Sequence, residues 1–176
     1  MTEVFPCELP RLVLRALRPN DLDPFHAYRS DPQVARYQGW APMSREAAAS
    51  YLDAQAGHAG PEPGTWSQLA IAMRDTDLLI GDMGVFLSPQ GTHAELGISI
   101  TPAAQGHGYG TEAVRGLIER LFTRTGVTRV EACSDVRNGA CLAVLSRAGL
   151  SLVETRQEEY KGELCTEQVY AIVRAA

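Results

Sequence analysis

Apolar residues alternate with other residues in several short segments of the chain, which is the pattern of half-buried strands. The segments 66–73 and 78–87 flank a polar turn at 75–77, so together they predict an antiparallel hairpin. Similar alternation or short apolar runs predict the remaining strands at 11–17, 94–100, 127–133, 152–156 and 165–173.

Helical periodicity is clearest between Val114 and Phe122, where apolar residues recur at i, i+3, i+4, i+7 and i+8. Gly126 is expected to end this helix, because glycine readily adopts the left-handed conformation that follows a helix. A second helix begins at the capping residue Ser44 and runs to about Gln55. Shorter helical segments are predicted at 21–28, from 30–32 onward, and at 138–148.

The order of these elements is strand, helices, three strands, helix, strand, helix and two strands. This order predicts an α+β fold in which helices cover both faces of a mixed sheet. A chain of 176 residues that is 45% apolar can bury one sizeable core. We therefore expect a single domain over residues 1–176.

Composition excludes several functional classes. The net charge is −5 and no cluster of basic residues interrupts it, so neither nucleic acid nor an anionic membrane is an expected partner. Neither an apolar run of about 18 residues nor an N-terminal signal pattern is present, which favours a cytoplasmic location. The four cysteines stand at 7, 133, 141 and 165 without the Cys-x-x-Cys spacing of a metal site, and we expect them to be reduced.

A glycine-rich turn at 105–111 connects the strand at 94–100 with the long helix. Backbone N–H groups at a helix N-terminus bind anions, so a phosphate or pyrophosphate is the natural ligand. A Rossmann fingerprint would need a glycine where Thr111 stands, and a Walker loop would need a lysine nearby. Neither of these nucleotide-binding classes therefore fits the spacing.

Gln105, Gly108 and Gly110 match the pattern Gln/Arg-x-x-Gly-x-Gly/Ala, and this segment resembles the acyl-CoA signature of the GNAT superfamily of N-acetyltransferases. The segment 137–150 is similar to the second motif of that family. With the segments 11–15 and 30–37, it is similar to the ribosomal-protein alanine N-acetyltransferase branch. The resemblance implies a GNAT-type, mostly antiparallel sheet, acetyl-CoA as co-substrate, transfer of acetyl to an amine, and no metal.

The resemblance also implies which residues bind the cofactor. The glycine-rich turn would hold the CoA pyrophosphate, and the strand before it would offer backbone groups to the pantetheine arm and one amide to the thioester carbonyl. His107 and Tyr109 are expected to support the turn, and Asn138 to cap a helix as well as to bind pantetheine. The implied cofactor-binding residues are Ile98, Ser99, Ile100, Gln105, Gly106, His107, Gly108, Tyr109, Gly110, Thr111 and Asn138.

Two side chains are candidates for catalysis. Glu95 corresponds to the family's general base, acting directly or through a water, with a merely solvated carboxylate as the alternative. Cys141 stands where this branch commonly has a serine that contacts the thioester sulfur and protonates the departing thiolate. Three interpretations of Cys141 stay open, namely an acid or sulfur contact, a packing residue, and a nucleophile.

The acceptor is the least determined feature. By the same resemblance Tyr37, Trp40 and Trp66 line the acceptor pocket, with burial in the core as the alternative. Both a protein N-terminus and a small amine are compatible with the sequence as acceptors. In either case we expect direct transfer of acetyl while both substrates are bound. The alternative function is a non-catalytic domain that binds acyl-CoA. The sequence is also compatible with a homodimer.

Overall fold

A computed structural model describes residues 4–58 and 60–175 of the chain. These residues form an eight-stranded sheet in the order β1-β2-β3-β4-β5-β6-β8-β7. Neighbouring strands are antiparallel except for β5 and β6, which run parallel. The strands are β1 (Cys7–Glu8), β2 (Leu12–Ala16), β3 (Trp66–Met73), β4 (Leu79–Leu87), β5 (His93–Ile100), β6 (Arg129–Asp135), β7 (Ser151–Tyr160) and β8 (Glu163–Val173).

Five α-helices within the described residues cover the two faces of this sheet. Helices α4 and α5 pack on one face over the larger core cluster, and α1 and α3 pack on the other face over a smaller one. The predicted α+β class, with helices on both faces of a mixed sheet, is confirmed. The helices are α1 (Leu22–Arg29), α2 (Pro32–Ala35), α3 (Arg45–Gln55), α4 (Tyr109–Arg124) and α5 (Gly139–Arg147).

The amphipathic pattern of α4 explains why this helix anchors the larger core. Val114, Leu117 and Leu121 lie on one side of the helix and are fully buried. They pack against the inward-facing residues of the central strands, including Leu14 and Met83. This burial fixes α4 on the sheet, so the position of its N-terminus is fixed as well.

The last hairpin extends further than the sequence pattern predicted. β7 runs to Tyr160 and β8 begins at Glu163, whereas the predicted strands covered 152–156 and 165–173. β7 is an edge strand with most of its residues exposed, so no buried face imposes an alternating pattern on it. Pairing with β8 holds it in place instead. The short strand β1 was missed for a related reason, since two residues are too few to show periodicity.

A buried ion pair joins α1 to the sheet. The guanidinium of Arg29 donates to Asp82 on β4 over 2.8 Å and 3.1 Å, and both residues are almost completely buried. Tyr28 and Gln68 also donate to Asp82, over 2.5 Å and 2.6 Å. The indole of Trp40 lies over the Arg29 guanidinium, 4.3 Å from its ring centroid. Three further side chains, Tyr28, Gln68 and Trp40, therefore help to compensate the two buried charges, and the network holds the segment 28–40 against the sheet.

We predict that Asp82→Ala lowers the free energy of unfolding by about 3–5 kcal/mol, because it leaves the Arg29 guanidinium buried without its carboxylate. Urea denaturation at neutral pH measures the change. Asp23→Ala is the matched control, since Asp23 pairs with Arg45 in solvent and its loss should cost less than about 1 kcal/mol. Equal losses in the two variants would contradict a stabilising role for the buried pair.

Candidate active site

The central feature of the site is a gap between the parallel strands β5 and β6. The two strands pair only from His93 to Glu95 on β5, although β5 continues to Ile100 and β6 to Asp135. Beyond the pair Glu95–Glu131 the strands separate, and we call this opening the splay. The edge of β5 that faces it has no strand partner, so its backbone groups can bind a ligand.

A large cleft of about 560 Å³ runs along the open end of β5 between the glycine-rich turn and α5. This volume lies within the range of small-molecule sites, about 300–1,000 Å³. Ten of the eleven predicted cofactor-binding residues line it, and His107 does not. Residues that the sequence analysis did not single out also contribute, namely Gln33, Val34, Gln38, Ala104, Ala140, Ala143, Val144 and Arg147.

One end of the large cleft is built to receive an anion. Gly106 and Gly108 both have φ near +79°, a left-handed conformation that glycine adopts without strain. The first intrahelical bond of α4 runs from the Glu112 N–H to the Gly108 carbonyl, so the N–H groups of residues 109–111 have no partner within the helix. The dipole of this 16-residue helix adds positive potential at the same place.

Arg11 fixes the shape of the glycine-rich turn. Its side chain donates to Glu112 over 2.6 Å and to the His107 carbonyl over 2.9 Å. Its guanidinium also lies over the ring of Tyr109, 4.5 Å from the centroid. His107, whose ring stacks on Tyr109, therefore supports the turn through its backbone and its ring, outside the cleft lining. The sequence placed Arg11 only in a strand, because its contacts join residues about 100 positions apart.

Gly110 has a packing role as well as a place in the cleft. A Cβ atom at this position would lie 3.3 Å from a methyl group of Val144 on α5. The absent side chain therefore lets α4 and α5 approach each other closely. We expected this glycine to serve backbone approach to a ligand, and the contact with α5 is a second reason for it.

Two glutamines hold the free edge of β5. The Gln38 side chain donates to the Ile98 carbonyl over 3.0 Å, and the Gln105 side chain donates to the Ile100 carbonyl over 3.0 Å. In an antiparallel ladder the N–H and C=O of one residue point to the same edge, so the Ile98 N–H also faces the splay. The backbone groups of Ser99 point toward β4 and away from this edge. Its side chain is buried, because α1 and α3 cover that end of the sheet.

A small cavity of about 40 Å³ lies in the splay itself. It shares five lining residues with the large cleft, so the two spaces are continuous. Gly97 and Cys133 line it from the side of the sheet on which Glu95 lies. The splay thus forms a short passage through the sheet. The shared residues are Tyr37, Gln38, Ile98, Asn138 and Cys141.

Two thiols line this passage, and both stay protonated at neutral pH. Cys141 follows the N-cap of α5, and its N–H donates to the Asn138 side chain over 3.3 Å. Burial raises the pKa of Cys141, and a hydrogen bond with Ser134 opposes that rise. Burial and a hydrogen bond to Glu167 raise the pKa of Cys133 to about 12. Neither environment favours the thiolate that a nucleophile requires.

Glu95 lies on β5 at the point where the pairing with β6 ends, and it is half-buried. Its pKa is raised above the ordinary glutamate value, first by burial and then by the carboxylates of Glu131 and Glu167. Arg156 and His93 partly oppose this rise. Among the residues that the structure describes, Glu95 makes no hydrogen bond or ion pair with another side chain. Glu95 lines neither the large cleft nor the small cavity, but Gly97, two residues away on the same face of β5, lines the cavity.

The three aromatic residues predicted for the acceptor pocket lie in different surroundings. Tyr37 lines both the cleft and the cavity. Trp40 lines neither and covers Arg29 instead, while its carbonyl accepts a hydrogen bond from Lys161 at the tip of the β7–β8 hairpin. Trp66 lies outside both linings, beside Phe86 and largely exposed on the face of the sheet that carries Glu95.

Sequence reasoning missed Cys133 and Gln38 as site residues. Strand alternation could have found Cys133, because it lies two residues after Glu131 and therefore on the same face. No local signal identifies Gln38, since its contact with Ile98 crosses 60 positions. No helix in the described part of the chain is long and apolar enough to cross a membrane. The same residues contain no group of three or more His, Cys, Asp and Glu side chains suited to a metal.

Comparison with known proteins relates this geometry to one family. The profile of the acetyltransferase (GNAT) domain family matches residues 11–151. A Bacillus subtilis (strain 168) protein named uncharacterized N-acetyltransferase YoaA is 30% identical over 171 residues, covering 95% of this chain and 96% of that protein.

Solved structures share the fold at lower identity. A GNAT-family acetyltransferase from Bacillus anthracis has a TM-score of 0.84 at 19% identity, over 95% of this chain and 97% of that one. RimL, a ribosomal L7/L12 alpha-N-protein acetyltransferase in complex with coenzyme A, has a TM-score of 0.78 at 19% identity, over 93% and 94% of the two chains. At these identities the similarity concerns the fold.

We predict that Gly108→Ala weakens binding of coenzyme A by about tenfold or more, the loss expected when one charge-assisted hydrogen bond is removed. The new methyl group disfavours φ near +79° and approaches Arg11 Nη2 to 3.4 Å, which displaces the N–H groups of the turn. Titration calorimetry with coenzyme A measures the affinity.

Gly91→Ala is the matched control for this substitution. Gly91 also has a positive φ, +68°, in the turn before β5, and a Cβ there meets no atom within 4 Å. Both variants should lose about 1 kcal/mol of stability, but only Gly108→Ala should lose affinity. A folded Gly108→Ala variant that binds coenzyme A like the wild type would refute the anion assignment.

Proposed function

The chain belongs to the GNAT acetyltransferase family, and from its two connected cavities we propose that it transfers acetyl from acetyl-CoA directly to a primary amine, with both substrates bound at once. The amine is either a protein N-terminus or the amino group of a small molecule. One observation carries this proposal. The small cavity in the splay shares Cys141 and Tyr37 with the large cleft, and it is also lined by Gly97, two residues from Glu95 on the same face of the sheet.

The residues of the large cleft fit acetyl-CoA in three parts. The N–H groups of residues 109–111 would hold the pyrophosphate at the start of α4. The free edge of β5, with the Ile98 N–H facing the splay, would bind the amide groups of pantetheine. When bound, acetyl-CoA supplies an activated thioester. We infer that residues 1–176 form one N-acetyltransferase domain around this cleft, and the continuous eight-stranded sheet supports that inference.

Glu95 is the proposed general base. A protonated amine has no free electron pair for attack, so a group near the splay must accept its proton, directly or through a water. Glu95 is the β5 carboxylate at the end of the β5–β6 pairing, where its partner Glu131 is paired with Arg129, and its raised pKa makes it a stronger base than an exposed glutamate. The Ile98 N–H, three residues further along β5, faces the splay and is positioned to polarise a carbonyl bound there.

Cys141 is the proposed contact for the sulfur of the leaving group. It lines both spaces where they join, and its raised pKa keeps the thiol protonated and able to donate. A protonated, buried thiol favours a proton donor or packing residue over a nucleophile. In the RimL structure a cysteine of that protein forms a disulfide with coenzyme A, so a cysteine can reach this sulfur in the fold.

Thiol release from acetyl-CoA tests the proposed activity. The purified chain is incubated with acetyl-CoA and a panel of primary amines that includes peptides with free N-termini. Free coenzyme A is measured and the product is identified by mass spectrometry. Binding of acetyl-CoA without release above background for any amine would establish a non-catalytic domain and contradict the proposal.

We predict that Glu95→Gln lowers kcat by about a hundredfold while leaving coenzyme A affinity unchanged. A base works only when deprotonated, so wild-type activity falls as the pH drops through its pKa. Because burial and neighbouring carboxylates raise that pKa, the fall should begin at higher pH than for an exposed glutamate. Rates from about pH 5 to 9 show whether this acidic limb disappears in the variant.

Glu119→Gln removes one carboxylate from the exposed side of α4 and is the control for the change in charge. It should preserve both the rate and the acidic limb. A Glu95→Gln profile that matches the wild type would mean that the amine loses its proton without Glu95.

Cys141 is tested by two substitutions. If it contacts the sulfur, Cys141→Ser should retain or raise activity, because a hydroxyl is the better donor, and Cys141→Ala should lower kcat about tenfold or more. Cys7→Ala, in a buried cysteine of β1, controls for loss of a buried thiol. Full activity in Cys141→Ala would show that Cys141 is a packing residue without a role in catalysis.

Intact-protein mass spectrometry with acetyl-CoA alone tests the nucleophile alternative. A thioester on Cys141 adds one acetyl group that hydroxylamine removes, whereas an amide on Lys161, the single lysine of the chain, resists it. An acetylated Cys141 that passes its acetyl group to added amine would overturn direct transfer.

A further inference from the structure

The carboxylates on the Glu95 side of the sheet differ in whether an arginine neutralises them. Asp82 pairs with Arg29 over 2.8 Å, and both are buried. The carboxylates of β6 and β8 on this side also lie within 4.0 Å of a guanidinium: Glu131 with Arg129, Asp135 and Glu163 with Arg137, and Glu167 with Arg156. Within β4, β5, β6 and β8, as the structure describes them, Glu95 is the carboxylate of this side with no arginine within 4.0 Å, although Arg156 acts on it from further away.

Beside Glu95 the same side presents an exposed aromatic surface. Trp66 on β3 is opposite Phe86 on β4, and Phe86 is opposite Glu95 on β5, so the three lie in one row across the sheet. The two rings are 5.7 Å apart at their centroids. Trp66 is 57% exposed although it is the largest apolar side chain of this surface. An indole left in water beside an unpaired carboxylate favours a ligand with both apolar and cationic parts.

The next row across the sheet consists of residues without bulky side chains. Gly84 is opposite Gly97, and the Trp66 ring lies over Gly84, 3.3 Å from the position that a Cβ would take. A Cβ at Gly97 would meet no atom within 4 Å. The space above Gly97 is therefore open, with the indole on one side, Glu95 two residues away, and the small cavity of the splay beneath.

We propose that Trp66 and Gly97 select the acceptor, which is a primary amine with one positive charge and a compact apolar group next to it. This inference rests on the proposed acetyltransferase activity. The ammonium group faces Glu95, and the apolar group lies above Gly97 against the indole of Trp66. We call this surface the acceptor shelf.

The charge pattern argues for one cationic group on the acceptor. Every further ammonium of a polyamine would need its own carboxylate, but the other carboxylates of this side on β4, β6 and β8 already face guanidinium groups. Displacing an arginine from such a pair costs much of the Coulomb energy that the new ammonium gains. Apolar contact with an exposed indole has no such cost, because water is released from both surfaces.

Three probes measure the selectivity at a fixed concentration of acetyl-CoA: glycinamide, leucinamide and spermidine. Glycinamide and leucinamide differ only in the apolar group beside the amine, and spermidine carries additional cationic groups. The wild type should prefer leucinamide to glycinamide by about tenfold in kcat/KM, the range for a few methylene groups in an apolar pocket. Spermidine should be acetylated less well than leucinamide.

Gly97→Ala places a methyl group in the open space without a clash, so the sheet should fold normally. It should lower kcat/KM for leucinamide about tenfold and for glycinamide less than about threefold. Trp66→Ala should raise KM for leucinamide toward the value for glycinamide with little change in kcat. Leu78→Ala, at an exposed leucine in the β3–β4 turn, is the control and should change neither acceptor.

The outcomes separate this inference from the proposed function. Two outcomes would refute the acceptor shelf and leave the acetyltransferase activity intact. The first is a wild type that acetylates amines but prefers spermidine. The second is an equal effect of Trp66→Ala and Gly97→Ala on the acetylation of glycinamide and leucinamide. If no amine is acetylated although coenzyme A binds, the proposed function itself fails. Loss of discrimination between the two amides, with coenzyme A affinity unchanged in both variants, supports the shelf.

Discussion

The pairing between β5 and β6 ends after three residue pairs, and both the cleft and the passage exist because of this early end. Had the two strands paired along their full length, the backbone edge of β5 would be satisfied by β6, and the sheet would separate its two faces completely. Because pairing stops at Glu95, the edge from Leu96 onward is free, and a passage of about 40 Å³ crosses the sheet. One side of this passage receives the large cleft, and the other carries the unpaired carboxylate.

The helices hold this opening from both faces. α4 is fixed by its buried apolar side, so its N-terminus and the glycine-rich turn lie at one end of the cleft, and Arg11 ties that turn to β2. On the other face the buried pair of Arg29 and Asp82 holds the segment that carries Tyr37 and Gln38. Lys161 binds the carbonyls of Ala35 and Trp40 from the tip of the last hairpin, which adds a third attachment to that segment.

Electrostatics divide the site into complementary halves. The start of α4 presents N–H groups and the positive end of a helix dipole, which suits the phosphates of the cofactor. The far side of the splay presents Glu95, whose pKa is raised because burial and two neighbouring carboxylates disfavour its charge. Both thiols between these halves are kept neutral by burial, so the passage itself carries no charge at neutral pH.

Local patterns along the chain were enough to predict the α+β class, most strands of the sheet, the long amphipathic helix and the glycine-rich turn, because each of these depends on local periodicity or on residues that are close in the chain. Ten of the eleven residues expected to bind the cofactor line the large cleft for the same reason, since they lie in one strand–turn–helix segment plus a helix cap. Local patterns did not predict the length of the last hairpin, the roles of Arg11 and Gln38, or the different positions of the three aromatic residues. These features come from contacts between residues far apart in sequence, and neither propensity nor alternation carries information about which distant partner a side chain will meet.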